Sequence, residues 1–180
     1  MRAVLCTFLL AVALADITDL RTEYLETPYI DSLRPRFFFK TDQPQTAYRI
    51  VVSTDSELRQ IDVWDSTRVP SNSTIQIEFA GKALSSDTRY YWRATTWWSN
   101  TSFEHSDASW FHTALLQPSD WKAQFIGGFT MLRKRFLLDE PAALASAFVT
   151  GVGAASLRVN SWRSENILEP VRSPSVVTAG

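Results

Sequence analysis

The chain has 180 residues, 45% hydrophobic and 21% charged, with 6 Gly and 8 Pro, which excludes collagen-like, low-complexity and charge-rich disordered classes. A formal net charge of −1 gives no electrostatic reason to expect nucleic acid or an anionic membrane as partner. The 13% aromatic share, with 7 Trp, suits a tightly filled β core or a sugar-contacting surface.

Residues 1–15 read as a secretory signal. Arg2 supplies a positive start, Ala3 to Leu14 is almost unbrokenly apolar, and Ala13-Leu14-Ala15 offers small residues at the two positions that signal peptidase inspects. Cleavage is expected after Ala15, leaving Asp16 first and the chain extracellular. The alternative is a retained signal anchor, against which the Ala-x-Ala ending argues. No later stretch reaches ~18 consecutive apolar residues, so no membrane span is expected. The single Cys, Cys6, falls inside the signal, so disulfides, Cys zinc sites and cysteine nucleophiles are not expected in the mature form. Asn72-Ser73-Thr74 and Asn100-Thr101-Ser102 are N-glycosylation sequons in turn-rich stretches, which makes Asn72 and Asn100 candidate glycan carriers.

From there the chain reads as short strands. Arg36 to Lys40, with Phe37, Phe38 and Phe39, is the first, and Tyr48 to Val52 follows after the turn-prone Thr41-Asp42-Gln43-Pro44. Ser56 to Ile61 is compatible with a helical turn. Thr74 to Phe79 alternates so that Ile75, Ile77 and Phe79 would line one face while Gln76 and Glu78 meet water. Arg89 to Trp98 is dense in β-formers, and Ala108 to Leu115 is a candidate last strand. Strands punctuated this often, with no amphipathic helix between them, predict an all-β sandwich over 19–116.

Leu84, Thr88, Tyr90, Trp92 and Ala94 fit the pattern of a tyrosine corner, in which a Tyr at the start of a late strand returns its hydroxyl to upstream backbone. Tyr90 is the candidate, and the pattern points to a fibronectin type III-like (immunoglobulin-like) sandwich. With Tyr90, Trp92 and Ala94 inward, parity sends Tyr91, Arg93, Thr95 and Trp97 outward, and Trp98 inward unless a bulge intervenes.

Gln117-Pro118-Ser119-Asp120 reads as a linker, so 117–128 is the entry to a second unit over 129–180. Met131 to Leu138, Ala147 to Thr150 and Ala155 to Val159 are its candidate strands. So short a stretch buries little apolar surface against an ordering cost of roughly 1–2 kcal/mol per residue, so an incomplete second β-sandwich with a mobile tail is expected.

Leu33-Arg34-Pro35-Arg36-Phe37, Gln45 through Ser53, Val63-Trp64-Asp65-Ser66, Tyr90-Tyr91-Trp92-Arg93, Phe111 through Leu116 and Trp121 through Gly127, in that order, resemble the amino-terminal region of α-L-rhamnosidases of glycoside hydrolase family 78. The resemblance runs from about Leu20 to Asn160. It implies a fibronectin-like sandwich followed by the opening of a second sandwich, from Phe148-Val149-Thr150-Gly151 through Val159-Asn160. The chain departs from the family at Ala154-Ala155 and at Asn160-Ser161, where relatives carry aromatic residues and then Asn-Gly. The family's catalytic (α/α)6 barrel, which hydrolyses terminal α-L-rhamnose from glycosides, has no counterpart in these residues. The resemblance therefore implies a secreted, non-catalytic accessory module whose partners are rhamnosidase catalytic domains. A stand-alone carbohydrate-binding module, or an extracellular protein-interaction module, is the alternative.

The residues themselves hold no strong enzymatic pattern. Inverting glycoside hydrolysis needs two carboxyl groups about 6.5–9.5 Å apart across a sugar-holding cleft. Asp62 with Asp65, Asp139 with Glu140, and Glu165 with Glu169 are the carboxylate pairs, and each is equally a turn cap or charged tail. His105-Ser106-Asp107 has triad residue types, but adjacent residues cannot form the relay. His112 has no second ligand at metal spacing, and no phosphate loop or dinucleotide fingerprint occurs, so no metal or cofactor is expected. Trp97 and Trp98 are candidate glycan contacts, because an outward Trp is suited either to stacking on a pyranose ring, such as that of a rhamnose-containing glycan, or to packing on further domains. Arg133-Lys134-Arg135 reads as a solvated strand edge.

Overall fold

Three consecutive phenylalanines cannot all point to one side of a pleated strand, because neighbours alternate faces. Phe37, Phe38 and Phe39 are nevertheless all buried. Phe37 and Phe39 share the inward face, whereas Phe38 on the opposite face lies under the Tyr24 ring, with centroids 4.0 Å apart. Tyr24 reaches that place from a turn in which Glu23 and Tyr24 both have positive φ. The Glu23 carboxylate pins the turn by accepting hydrogen bonds from the Arg36 backbone N–H, Nε and Nη2.

The computed structural model describes residues 16–126, 132–140, 145–150, 157–159, 162–163 and 175–179. The expected signal at 1–15 lies outside them. In chain order the strands are β1 (Ile17–Thr22), β2 (Tyr29–Ile30), β3 (Arg36–Thr41), β4 (Ala47–Ser53), β5 (Trp64–Asp65), β6 (Ile77–Glu78), β7 (Arg89–Trp97), β8 (Phe103–His105), β9 (Ser109–Thr113), β10 (Ala145–Val149), β11 (Arg158–Val159), β12 (Trp162–Arg163) and β13 (Ser175–Ala179). The architecture is all-β, as the punctuated strand pattern predicts.

The described chain groups into two compact units. One holds the residues through Thr27, Arg34–Lys82 and Tyr90–Trp110; the other holds Pro28–Leu33, Ala83–Arg89 and the residues from Phe111 onward.

In the first unit, β1, β3 and β6 form an antiparallel sheet in that order, with a register shift between Thr18 and Arg21 where Asp19 takes a positive φ. Facing it, β4 pairs antiparallel with β7 from Ala47↔Trp97 to Ser53↔Tyr91, β5 flanks β4, and β8 returns along β7. The two sheets meet through aromatic rings. Phe37 lies 4.7 Å from Trp92 and 6.0 Å from Trp64, and Trp64 meets the edge of Phe79 at 5.3 Å, all centroid to centroid. Ile50, Val52 and Ala94 fill the space between them. Gly81 turns beneath this cluster so tightly that a Cβ there would stand 2.5 Å from Trp64 Cβ and 2.6 Å from Phe79 Cζ.

Three local expectations need correction. Ile75 does not share a face with Ile77 and Phe79: it is 62% exposed, and β6 is limited to Ile77–Glu78. Gln76 has a φ of 53°, which interrupts the pleat and rotates Ile75 outward. The helical turn over 56–61 is instead a single tight turn closed by Leu58 N–H donating to Asp55 O at 3.0 Å, and Leu58 leaves it with positive φ to bury its side chain. The strand expected from Met131 to Leu138 is not formed over its described part, 132–138, where Leu137 is 98% exposed and no described segment supplies a ladder partner.

In the second unit, β2 pairs parallel with β9, with Tyr29 opposite His112 and Ile30 opposite Thr113. Thr113 donates from Oγ1 to Ser85 O and accepts from Thr88 N–H, which ties the 83–89 segment to β9. The expected linker contains a 3-10 turn at Pro118–Asp120, whose Asp120 carboxylate accepts hydrogen bonds from the Ser86 hydroxyl and from Gln117 N–H. Beyond it β10 pairs antiparallel with β13, and β11 with β12.

Candidate ligand-contact surface

The outward face of β4, β7 and β8 is laid out by register. One row runs Ala47, Trp97, Phe103; the next runs Arg49, Thr95, His105; the third places Val51 between Arg93 and Asp65. Trp97 is half-buried with its ring centroid 5.8 Å from Phe103, which is 48% exposed, and Phe103 presents itself to the His105 ring at 5.3 Å. The Arg68 guanidinium lies over Trp97, 5.0 Å from its centroid, and reaches toward the Ser99 and Asn100 carbonyls. Thr95 points outward, as parity requires, yet is buried beneath its neighbours in the row, where its hydroxyl meets His105 Nδ1 at 2.8 Å.

The charges on this face are unevenly satisfied. Arg49 grips Asp65 through Nε and Nη2 at 2.7 and 2.6 Å, which raises the guanidinium pKa and lowers that of the carboxyl. Burial pushes the His105 imidazole below its ordinary value, and Arg93 and Arg49 push it the same way while Glu104 opposes them. Arg93 Nε is itself buried without a hydrogen-bond partner among the described residues.

Trp97 stands outward as parity predicts. Trp98 does not follow the strand alternation, because β7 ends at Trp97; it is half-buried in the turn, its N–H donating to Ser102 O. Tyr90 is buried in the first unit. Asn72 and Asn100 are both exposed, Asn72 in a loop whose Ser71 and Ser73 carbonyls accept from Gln45 Nε2, and Asn100 in the β7–β8 turn. The contributions of Phe103 and Arg68 are absent from the sequence reading, since β8 carries no strong strand signal and Arg68 joins Trp97 from a distant loop.

The Asp62 and Asp65 carboxylates are engaged in holding the fold. The Thr54 hydroxyl, with Thr54 N–H and the Ser53 hydroxyl, keeps the Asp62 carboxyl at a pKa of about 2. A general acid in glycoside hydrolysis must instead keep its proton near neutral pH, so Asp62 is displaced in the wrong direction for that task. Asp139 and Glu140 are exposed, and Glu165 and Glu169 lie outside the described residues. Ser106 accepts from Ala94 N–H and donates to Asp107 O, so the 105–107 segment makes no relay. His112 is buried, with Nε2 3.0 Å from Asp87 Oδ1 and its ring 4.8 Å from that of Tyr29. Among the described residues no three His, Cys, Asp or Glu side chains converge as a metal site. An open groove of about 500 Å³ runs between the β5 and β6 edges, lined in part by Tyr48, Trp64, Ile75 and Glu78.

Comparison with known proteins supplies the remaining observations. The family model for the Rha78A-like, N-terminal immunoglobulin domain matches residues 17–117. An α-L-rhamnosidase of Streptomyces avermitilis is 32% identical over 118 residues, covering 61% of this chain and 12% of that protein. One from Formosa agariphila is 29% identical over 151 residues, covering 72% of this chain and 16% of its own length. The chain thus spans less than a fifth of these relatives. Among solved structures, the Streptomyces avermitilis α-L-rhamnosidase complexed with L-rhamnose superposes with a TM-score of 0.60 at 23% identity over 91% of this chain and 20% of that one. The native enzyme from Aspergillus terreus gives 0.59 at 19% identity, over 83% and 19%. At these identities the structural likeness speaks for the fold.

Proposed function

Because the chain belongs to the Rha78A-like family of amino-terminal immunoglobulin domains, we propose that it is the non-catalytic accessory module of a secreted α-L-rhamnosidase-type glycoside hydrolase. The observation that carries this reading is that the aligned segments of 118 and 151 residues account for only 12% and 16% of the curated relatives, so their hydrolytic work has most of another protein to reside in. The engaged carboxylates support it, since Asp62 is held by Thr54 and Ser53 and Asp65 by Arg49. The parent reaction would be removal of terminal α-L-rhamnose, and the partners would be rhamnosidase catalytic domains. In this reading the signal at 1–15 directs secretion, the sandwich spans 19–116, and Asn72 and Asn100 are exposed enough to carry glycans.

The test is to assay the purified chain on an aryl α-L-rhamnoside, and then to graft its residues 17–117 in place of the matching segment of the Streptomyces avermitilis enzyme. No release by the chain alone and retained release by the graft are expected. Rhamnose release by the chain alone overturns the reading.

A second reading rests on the half-exposed Trp97 in contact with Phe103. The exposed Phe103 ring, tilted 38° to an indole that carries the Arg68 guanidinium on one face, offers an apolar surface for the C–H side of a pyranose, and the module would then contact glycan directly. Calorimetric binding lost in Trp97→Ala and kept in Trp98→Ala, with both variants folded, would favour it and assign the contact to the β7 row.

A further inference from the structure

Building on the reading that the Trp97 face contacts glycan, we propose that its ligand is an acidic oligosaccharide, lying along β7 with one sugar ring on Trp97 and Phe103 and a uronate carboxylate at Arg93. The face carries Arg49, Arg68 and Arg93 together with His105, against Asp65 and the adjacent Glu104. Asp65 is consumed by its two bonds to Arg49. Neither Arg68 nor Arg93 forms an ion pair among the described residues. The Glu104 carboxylate accepts the His105 backbone N–H.

The Nε of Arg93 is shut off from solvent and hydrogen-bonded to nothing described, so the guanidinium carries its charge without a partner on that side, and an incoming carboxylate at its terminal nitrogens would supply the counter-charge. A planar guanidinium matches a carboxylate with two parallel bonds, which a neutral sugar hydroxyl cannot reproduce.

Arg93, Thr95 and Trp97 alternate along one face of β7, so Arg93 and Trp97 are four residues apart, on the order of 13 Å along the strand. That is too far for one sugar and suits a short chain of them. The aromatic end favours a glycan over an acidic peptide, because the exposed Phe103 ring beside Trp97 offers an apolar face to a pyranose.

The experiment uses the full chain and three probes: a galacturonate trisaccharide, its methyl ester, and a glutamate tripeptide, titrated by calorimetry and by NMR shifts of indole N–H signals. The acid is expected to bind at least tenfold more tightly than its ester, to weaken with salt, and to perturb the Trp97 signal. Arg93→Gln should abolish the preference for acid over ester while leaving ester binding unchanged, and Arg93→Lys should restore part of it. Phe103→Ala, at an exposed site, should weaken both sugars without unfolding the protein. Equal binding of acid and ester would overturn the acidic-ligand inference and leave glycan contact standing. Binding of neither sugar would overturn both. Equal binding of the glutamate tripeptide would reduce the site to a general anion patch and also overturn the inference.

Discussion

Phe37 of β3 and Trp92 of β7 meet from opposite sheets with ring centroids 4.7 Å apart, and both are fully buried. The contact joins the two layers of the first unit at its centre, where close packing leaves little room for a neighbour to move into an emptied site. Trp92→Ala removes the ring and leaves a cavity, and is expected to cost about 3–5 kcal/mol. A urea midpoint within error of the parent protein would contradict this account of the core.

Gly81→Ala tests the other side of the same cluster. The new methyl group would press on Trp64 Cβ, at 2.5 Å, and on the rim of Phe79. Since the Trp64 atom is held next to its own backbone, the turn must shift, and overpacking of this kind costs about 1–3 kcal/mol. A thermal melt that shows Gly81→Ala to be neutral would mean that the turn yields freely.

Asp62 makes a prediction about acid. Its carboxyl has a folded pKa of about 2 against an ordinary 3.8, so the folded chain releases this proton more readily than the unfolded one. The stabilisation it confers is fully present above 3.8 and is lost as pH falls through about 2. Asp62→Asn should be less stable at neutral pH and should lose less on acidification from pH 4 to pH 2. Parallel losses in the two proteins over that range would show that the Thr54 and Ser53 contacts do not bias the titration.

Tyr90→Phe probes the proposed tyrosine corner. Its side chain is buried, and loss of a corner hydrogen bond would cost on the order of 1 kcal/mol. The check is the urea midpoint with an unchanged slope; no shift would remove Tyr90 from that role.

The sandwich core was legible wherever burial followed the strand period. Tyr90, Trp92 and Ala94 alternate inward, and the β4 and β7 segments could be bounded to within a residue or so from composition and turn signals. Ile75 was not legible, because its exposure depends on the left-handed backbone at Gln76, and no side-chain pattern announces that. Strands β1, β2 and β5 also escaped, since two- to six-residue ladders are defined by partners far away in sequence. On the candidate surface the outward direction of Trp97 followed from parity alone. Phe103 and Arg68 join it through a hairpin and a distant loop, so their part in the site is a product of the register between strands.

The parallel pairing of β2 with β9 also has a mechanical meaning. His112 N–H donates to Pro28 O at 2.9 Å and Ala114 N–H to Ile30 O at 2.7 Å, and the two strands run in the same direction. Tension drawing β2 toward its amino end and β9 toward its carboxy end therefore acts lengthwise along the pair. Both bonds share the load in shear and must fail together, where an antiparallel hairpin pulled open at its ends would lose its bonds one at a time. A chain tethered on one side and drawn on the other would yield late at this point.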